Sequence, residues 1–439
     1  MSLPTDEAEP MSRRTFLRIA SHAAGISMLG MRSPVDSAFA SEFASGRRRV
    51  AISNEETPVQ IGVILPQSSI APHMGPNLLI GLRLAFAETG NRFGNRSVAL
   101  VTETYGVKPA QALRQAHKLL TEDRVDVLVG AVSRHDATSL APLLQERGTP
   151  LIVTDVGANI IRQDRLRPLV FRNSLNHWRA SWALGRWAAA NVGKRALIAA
   201  SFYDSGYDTI YAFQRGFEQA GGRKPHVHVT HLPNTSHDLR LLIDAIRQTQ
   251  PDCVFAAYCG PKAVDFVRAY AAAGVSQHIP LLGSSFLVDE SLLSAQGAAA
   301  AGVITACTWA PALAMPEQHA FSTKYRAFTG ETADSFAALG YDTGRMLVEA
   351  LQGMSNATPE SISEQLAALS FAGSRGSLMM HTNTRDVLSP IYLQEVRMNG
   401  RKLQHAVMAN LSSMTPIELG SDEAPEGPKT GWLNAYLCV

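Results

Sequence analysis

The sequence predicts an α/β protein made of two doubly wound parallel-sheet units, and three observations carry that prediction. Short apolar runs alternate with amphipathic helical stretches from Pro58 onward, the alternation restarts near Trp178, and glycines such as Gly221-Gly222 and Gly274 stop the helices between runs. Strands that alternate with helices form parallel sheets covered on both faces. A chain of 439 residues is long enough for two cores of ordinary size.

In the first set the apolar runs are 59–65, 98–102, 125–130 and 150–154, with helical patterns at 78–89, 109–120 and 137–147 between them. Leu78, Leu82, Ala85 and Phe86 share one helix face, as do Leu140, Leu143 and Leu144. Trp178 and Trp182 open the second set, in a helix that ends near Asn191. Runs follow at 195–200, 227–232, 253–258, 280–283 and 302–306, with helices at 207–220, 239–248 and 263–273. Ile210, Phe213 and Phe217 mark the buried side of the first of these helices. Two further helices come after Pro311, one carrying Phe321, Tyr325 and Phe328, the other spanning 336–351. A final strand is expected at 386–396, paired with 404–409 across an Asn399-Gly400 turn. Ligands of doubly wound sheets sit beyond the carboxyl ends of the strands, and two such sheets facing each other form a cleft for a small molecule.

The ends of the chain differ from its body. Arg13-Arg14 precedes a weakly apolar stretch, 19–31, too short to span a bilayer, and Ala38-Phe39-Ala40 offers small residues at the positions a signal peptidase reads. This order is that of a cleavable twin-arginine export signal over residues 1–40. Residues 41–57 read as a disordered leader. The tail 415–439 is acidic and rich in Pro and Gly, yet it ends in the apolar Gly-Trp-Leu-Asn-Ala-Tyr-Leu-Cys-Val, which suits docking on the body.

Composition and motifs exclude several functions. Apolar residues at 46% and charged residues at 18% fit a globular chain, and a net charge of +2 without a long basic run argues against nucleic acid. HExxH, GxGxxG, Walker A and GxSxG sequences are absent, so neither an enzyme nor a cofactor is expected. His226 and His228 lie two apart on a strand, a spacing that fits an exposed edge better than a metal site. The cysteines Cys253, Cys259, Cys307 and Cys438 form no CxxC pair. Cys253 suits a buried thiol, and a bridge between Cys259 and Cys307, at the ends of two strands, stays open.

Several stretches resemble the type I periplasmic binding proteins of the branched-chain amino acid transporter class. They are Ile61-Gly62-Val63-Ile64-Leu65-Pro66 with Gly75 and Gly81-Leu82-Arg83-Leu84-Ala85, then Val125-Asp126-Val127-Leu128-Val129-Gly130 and Gly148-Thr149-Pro150-Leu151-Ile152. Tyr203-Asp204-Ser205-Gly206-Tyr207, Pro251-Asp252 and Gly340-Tyr341-Asp342 continue the series. The resemblance implies two lobes joined by a three-crossing hinge, 58–174 plus 311–375 and 175–310 plus 376–414. It implies a monomeric clamp that delivers a small amino acid or organic acid to an ABC transporter permease, after export by the twin-arginine translocase. A ligand-sensing subunit of the same fold is the alternative, and an exported redox enzyme a more distant one.

By the same resemblance, four groups line the cleft. Gln67, Ser68 and Met74 follow the first strand. Ser133, Arg134 and His135 lie at a helix N-terminus, where backbone N–H groups hold a carboxylate. Thr154 and Ala158 follow a third strand. Tyr203, Asp204, Tyr207, Tyr258 and the run Ser284-Ser285-Phe286 come from the second lobe. Relatives that bind α-amino acids carry an acidic side chain where Ser285 falls. With Ser285 there, either Asp204 or Asp155 meets the ligand's ammonium, or the ligand has none.

Overall fold

The computed structural model describes residues 57–67, 72–106, 111–130, 134–157, 169–201, 208–230, 236–352, 354 and 358–415. The expected signal, the leader as far as residue 56 and the tail beyond residue 415 lie outside these residues.

Strand β1 (Val59–Pro66) is buried along nearly its whole length, because a continuous apolar run can sit only at the centre of a covered sheet. It is flanked on one side by β3 (Arg96–Tyr105) and on the other by β4 (Val127–Gly130), both parallel to it. With β2 (Arg92–Phe93), β5 (Leu151–Val153) and β6 (Val170–Arg172), the sheet order is β2-β3-β1-β4-β5-β6. Only the β2–β3 hairpin is antiparallel. Helices α1 (Met74–Ala87), α2 (Gln111–Thr121) and α3 (Arg134–Arg147) connect these strands.

The second sheet repeats the scheme. Helix α4 (His177–Asn191) leads into β7 (Ala196–Ser201), α5 (Asp208–Gln219), β8 (His226–Thr230), α6 (Ser236–Thr249), β9 (Cys253–Ala257), α7 (Gly260–Ala272) and β10 (Leu281–Gly283). Helix α8 (Glu290–Gln296) and β11 (Ile304–Cys307) follow. Strand β7 lies between β8 and β9 as β1 lies between β3 and β4. In each sheet the winding therefore reverses beside its first strand, and that reversal opens a crevice at the strands' carboxyl ends.

After β11 the chain returns to the first sheet. Helices α9 (Pro316–Thr329) and α10 (Ser335–Leu351) pack in one cluster with Ala85 of α1. Helix α10 lies against α1 so closely that a Cβ on Gly81 would come within 2.1 Å of the Ala337 carbonyl, and one on Gly340 within 2.0 Å of the Leu78 carbonyl. Helix α11 (Pro359–Ala367) precedes a small antiparallel sheet of β12 (Ser370–Gly373), β13 (Gly376–Met380) and β14 (Val387–Leu388). Strands β15 (Tyr392–Asn399) and β16 (Lys402–Asn410) then extend the second sheet to the order β16-β15-β11-β10-β9-β7-β8.

The strand expected at 386–396 is in fact two. Pro390 lacks the N–H a ladder needs, and the chain leaves the small sheet after Leu388 and enters the large one at Tyr392. The last paired residues of the hairpin are Asn399 and Lys402, so its loop is Gly400-Arg401, with Gly400 at φ +61°. Strand β8, with His226 and His228, is the sheet edge its pattern suggested.

The crossing between β6 and α4 is held by a buried ion pair. Arg375 Nε donates to Asp342 Oδ2 at 2.7 Å, and both side chains are fully buried. The same guanidinium donates to the Ser174 carbonyl at 2.6 Å and to the Asn173 side chain. Asn176, in the left-handed region at φ +51°, donates through Nδ2 to Ser389 Oγ and the Val387 carbonyl. Residues 173–176, α10 and the 374–389 segment are thereby tied at one point.

Candidate functional site: the cleft at the strand ends

Side chains from both sheets meet in one buried cluster beyond the carboxyl ends of the strands. Met74, Val156, Leu175 and Phe336 are there with Cys259 and Phe286, which follow β9 and β10. A column of rings crosses the gap. His177 lies 4.3 Å from Phe286, Phe286 stacks on Phe336 at 5.8 Å with 12° between planes, and His73 lies 6.0 Å from Phe336. Phe286 sits on the 3-10 turn after β10 and Phe336 near the start of α10, so each enters from the end of a rigid element.

Two polar groups are set among these rings. His177 is 2% exposed, and its Nε2 lies 2.6 Å from Ser285 Oγ. Burial pushes the imidazole pKa down to about 3, so the ring is neutral. Its Nδ1 and the hydroxyl of the fully buried Thr154 have no hydrogen-bond partner among the described residues. Both offer a hydrogen bond that folding has desolvated and left open. At the rim, Asp334 caps α10 by accepting from Ala337 N and also accepts from Asn77 Nδ2, each at 2.8 Å. Burial raises the Asp334 carboxyl above its usual range.

A chamber of about 20 Å³, bordered by His177, Ser285, Asp289, Thr308 and Trp309, lies behind the rings and has room for one water. It shares Glu290 and His405 with a groove of about 760 Å³ that runs beside α8 and the β15–β16 hairpin.

The residues expected to line the cleft divide into three groups. Met74 and Ser285 are brought to it: Met74 is the first residue of α1 and 3% exposed, and Ser285 holds His177, while Thr154 lies fully buried just past the carboxyl end of β5. Gln67 follows β1, exposed, with its N–H donating to the Tyr105 carbonyl. Tyr258 is drawn into the second sheet's core, stacked on Phe266 at 4.8 Å with its hydroxyl 3.3 Å from that of Thr230. Ser68, Ser133, Ala158, Tyr203, Asp204 and Tyr207 lie outside the described residues. Arg134 and His135 start α3, their side chains also outside the description.

Two expectations are corrected. Asp155 is engaged by Arg172, whose Nε and terminal nitrogen donate to its two oxygens at 3.0 and 2.7 Å, so it does not face a ligand's ammonium. Cys307 is a free thiol, which removes the Cys259–Cys307 bridge. Sequence reading missed His177 and Phe336, whereas Phe286 was expected in the cleft beside Ser285. The apolar position of Phe336 reads as core, and only its place at a helix start marks it as a cleft residue.

Two lobes with reversed winding, facing each other across an aromatic wall at their strand ends, define a hinged solute-binding clamp. The chain belongs to the periplasmic binding protein family, whose pattern it matches over residues 58–402. It is 29% identical over 346 residues to Leu/Ile/Val-binding protein homolog 6 of Brucella melitensis, covering 77% of this chain and 87% of that one. An ABC transporter substrate-binding protein from Sphaerobacter thermophilus superposes with a TM-score of 0.74 at 27% identity, over 80% of this chain and 97% of the other. A solute-binding protein of an ABC transporter from R. palustris, in complex with benzoate, superposes with a TM-score of 0.70 at 27% identity, over 81% and 96%. The chain is the solute-binding component of such a transporter.

Proposed function

We propose that this binding protein captures a small, planar carboxylate that carries no amine, a benzoate-type acid, and presents it to its ABC permease without altering it. The observation that carries the reading is the His177–Ser285 pair packed on Phe286. A buried ammonium needs a carboxylate beside it. Here a neutral imidazole and a hydroxyl occupy that wall, and Asp155 is committed to Arg172. The faces of Phe286 and Phe336 suit an aromatic ring, and the N-terminus of α3 supplies N–H groups for the carboxylate. The benzoate complex of the R. palustris relative supports the ring. The Leu/Ile/Val-binding name of the Brucella relatives favours an aliphatic amino acid as the second reading.

The reading includes export under the twin-arginine signal, cleavage after Ala40 and work as a monomer, with residues 58–174 plus 311–375 forming one lobe and 175–310 plus 376–414 the other. Calorimetric titration of the purified mature protein with benzoate, 4-hydroxybenzoate, leucine and isoleucine tests it. Benzoates are expected to bind and the amino acids to give no heat. Tight leucine binding with no benzoate response would reverse the assignment.

A further inference from the structure

We propose that the groove beside α8 and the β15–β16 hairpin is a second ligand site, which takes an aliphatic amino acid whose ammonium and carboxylate are several methylenes apart and which bridges the two halves of the chain. The groove holds about 760 Å³, within the size range of small-molecule pockets. Its walls include Leu293, Ala298, Pro311, Met398 and Leu403, and among the described residues no Phe, Tyr or Trp lines it. A methylene chain is buried there, whereas an aromatic ring finds no ring to stack on. The groove thus selects a different chemistry from the ring-lined cleft.

The polar groups stand at two ends. At the inner end His405 is 4% exposed, and its Nε2 donates to the Val288 carbonyl at 2.8 Å. That bond leaves Nδ1 as the ring's acceptor, and it has no partner among the described residues. Burial lowers the imidazole pKa, so the ring stays neutral. Glu290 reaches the groove beside it, with Oε1 3.6 Å from His405 Nε2. Burial raises the Glu290 carboxyl well above the usual carboxylate range, and the charges of Asp289 and Asp334 raise it further. An ammonium brings donors for the Glu290 carboxylate and for the open imidazole nitrogen, and it offsets the repulsion among the three acids. A metal ion fits less well, since no group of three metal-type ligands converges among the described residues.

At the outer end Arg401 and Lys402 are exposed on the hairpin, and neither has an ion-pair partner among the described residues. They suit a carboxylate. Lys402 and His405 are three residues apart on β16, about 10 Å of strand. The two charges of the ligand must be set apart accordingly, which excludes an α-amino acid that carries both on one carbon.

The walls come from both halves. Helix α8 and the hairpin stand with the second sheet, whereas Thr332 lies between α9 and α10, which pack with Ala85 of α1 against the first. Pro311 and Ala312 belong to the segment that joins β11 to α9. A molecule in the groove therefore touches the crossing and both of its sides, and its contacts differ between open and closed forms.

The test is titration of the full-length mature protein with 6-aminohexanoate, using hexanoate and hexylamine as probes that each lack one charge. The amino acid should bind, and each control should bind about tenfold more weakly or worse. Its binding should slow backbone amide exchange at 290–298 and 398–405, and at 173–177 in the neighbouring crossing. Arg401→Ala, an exposed change that leaves the core alone, should weaken it about fivefold, and Glu290→Gln about tenfold or more. Binding should also release a proton as Glu290 ionises, so affinity should rise with pH through the raised Glu290 pKa, and Glu290→Gln should flatten that rise. The groups facing Glu290 are Asp289, Asp334, His405 and Cys307 on the inner side and Arg401 and Lys402 on the outer. Absent binding, equal binding of either control, or affinity unchanged in both variants overturns the site. Displacement by saturating benzoate, with protection at 284–287 in place of the groove, also overturns it and makes the cleft the amino acid's site. Protection of the groove with unchanged exchange at 173–177 overturns the bridge. Failure of benzoate itself to bind counts against the ligand reading above alone, since the protection pattern of 6-aminohexanoate still decides the groove.

Discussion

Replacing Asp342 by Ala should cost about 3–5 kcal/mol of stability, the range for removing one partner of a buried ion pair. The structure places this site at the top of that range's logic. Arg375 and Asp342 are both fully buried, and the variant leaves the guanidinium with only two neutral acceptors, the Ser174 carbonyl and the Asn173 side chain. It also strips the Ser374 N–H of the Asp342 Oδ1 it reaches at 2.6 Å. For a body of about 350 residues that melts cooperatively, an unfolding entropy of about 2.1 cal/mol/K per residue sums to roughly 0.7 kcal/mol/K. The melting temperature should therefore fall by about 4–7 °C in a calorimetric scan. The Arg375→Met variant should lose a similar amount. Asp342→Ala combined with Arg375→Met should lose clearly less than the sum, because neither charge is then left alone. Strict additivity, or a single variant within 1 °C of wild type, would refute the view that this pair locks the crossing.

Three further outcomes follow from the cleft. Thr154→Val removes a buried hydroxyl that has no described partner, so ligand-free stability should hold or rise by about 1 kcal/mol while benzoate affinity falls; unchanged affinity would take Thr154 out of the site. Phe286→Leu should weaken benzoate binding about tenfold or more, read by titration, with little change in the circular dichroism spectrum. His177 has its pKa lowered to about 3 in the folded chain and near 6.5 when unfolded, so below pH 6.5 the unfolded state binds the extra proton. Its contribution to stability is complete above pH 6.5 and lost as pH falls toward 3, at up to about 1.4 kcal/mol per pH unit. Urea titrations from pH 7 to 4 should show a shallower acid loss in His177→Gln than in wild type. Equal slopes would mean that His177 is solvated.

The sheets were legible because a parallel strand buried on both faces leaves an apolar run that little else produces, as at 59–65 and 253–258. The cleft was less legible, and for a physical reason. Phe336 is apolar, buried, and at a position where core residues also fall; no spacing separates a side chain that packs on its own lobe from one that packs across a gap. Tyr258 shows the same ambiguity in reverse, a polar-tipped ring after a strand that turns into the core because Thr230 meets its hydroxyl. A small strand escaped notice where three residues suffice, as in β6, whose only described strand partner, β5, lies some twenty residues earlier in the sequence. Arg375 reads as a surface residue until the fold brings Asp342, Asn173 and Ser174 around it.

Chemistry and mechanics meet at His177. It begins α4, directly after the crossing segment 173–176 that Arg375 and Asn176 hold, and its ring forms the end of the aromatic column on the second lobe. A ligand that packs against the ring column of Phe286 and Phe336 must therefore act on a side chain one residue from the crossing. Contact with rings from both lobes at once is available only when the lobes approach, so the ring of the ligand favours the closed form by its differential contacts. An aliphatic acid of the same charge would reach the N-terminus of α3 but gain less from the two rings. Closure, and not only affinity, should thus discriminate between ligands. Small-angle scattering at saturating ligand tests this: benzoate should reduce the radius of gyration more than acetate does, and equal contraction by the two would show that the carboxylate alone drives the hinge.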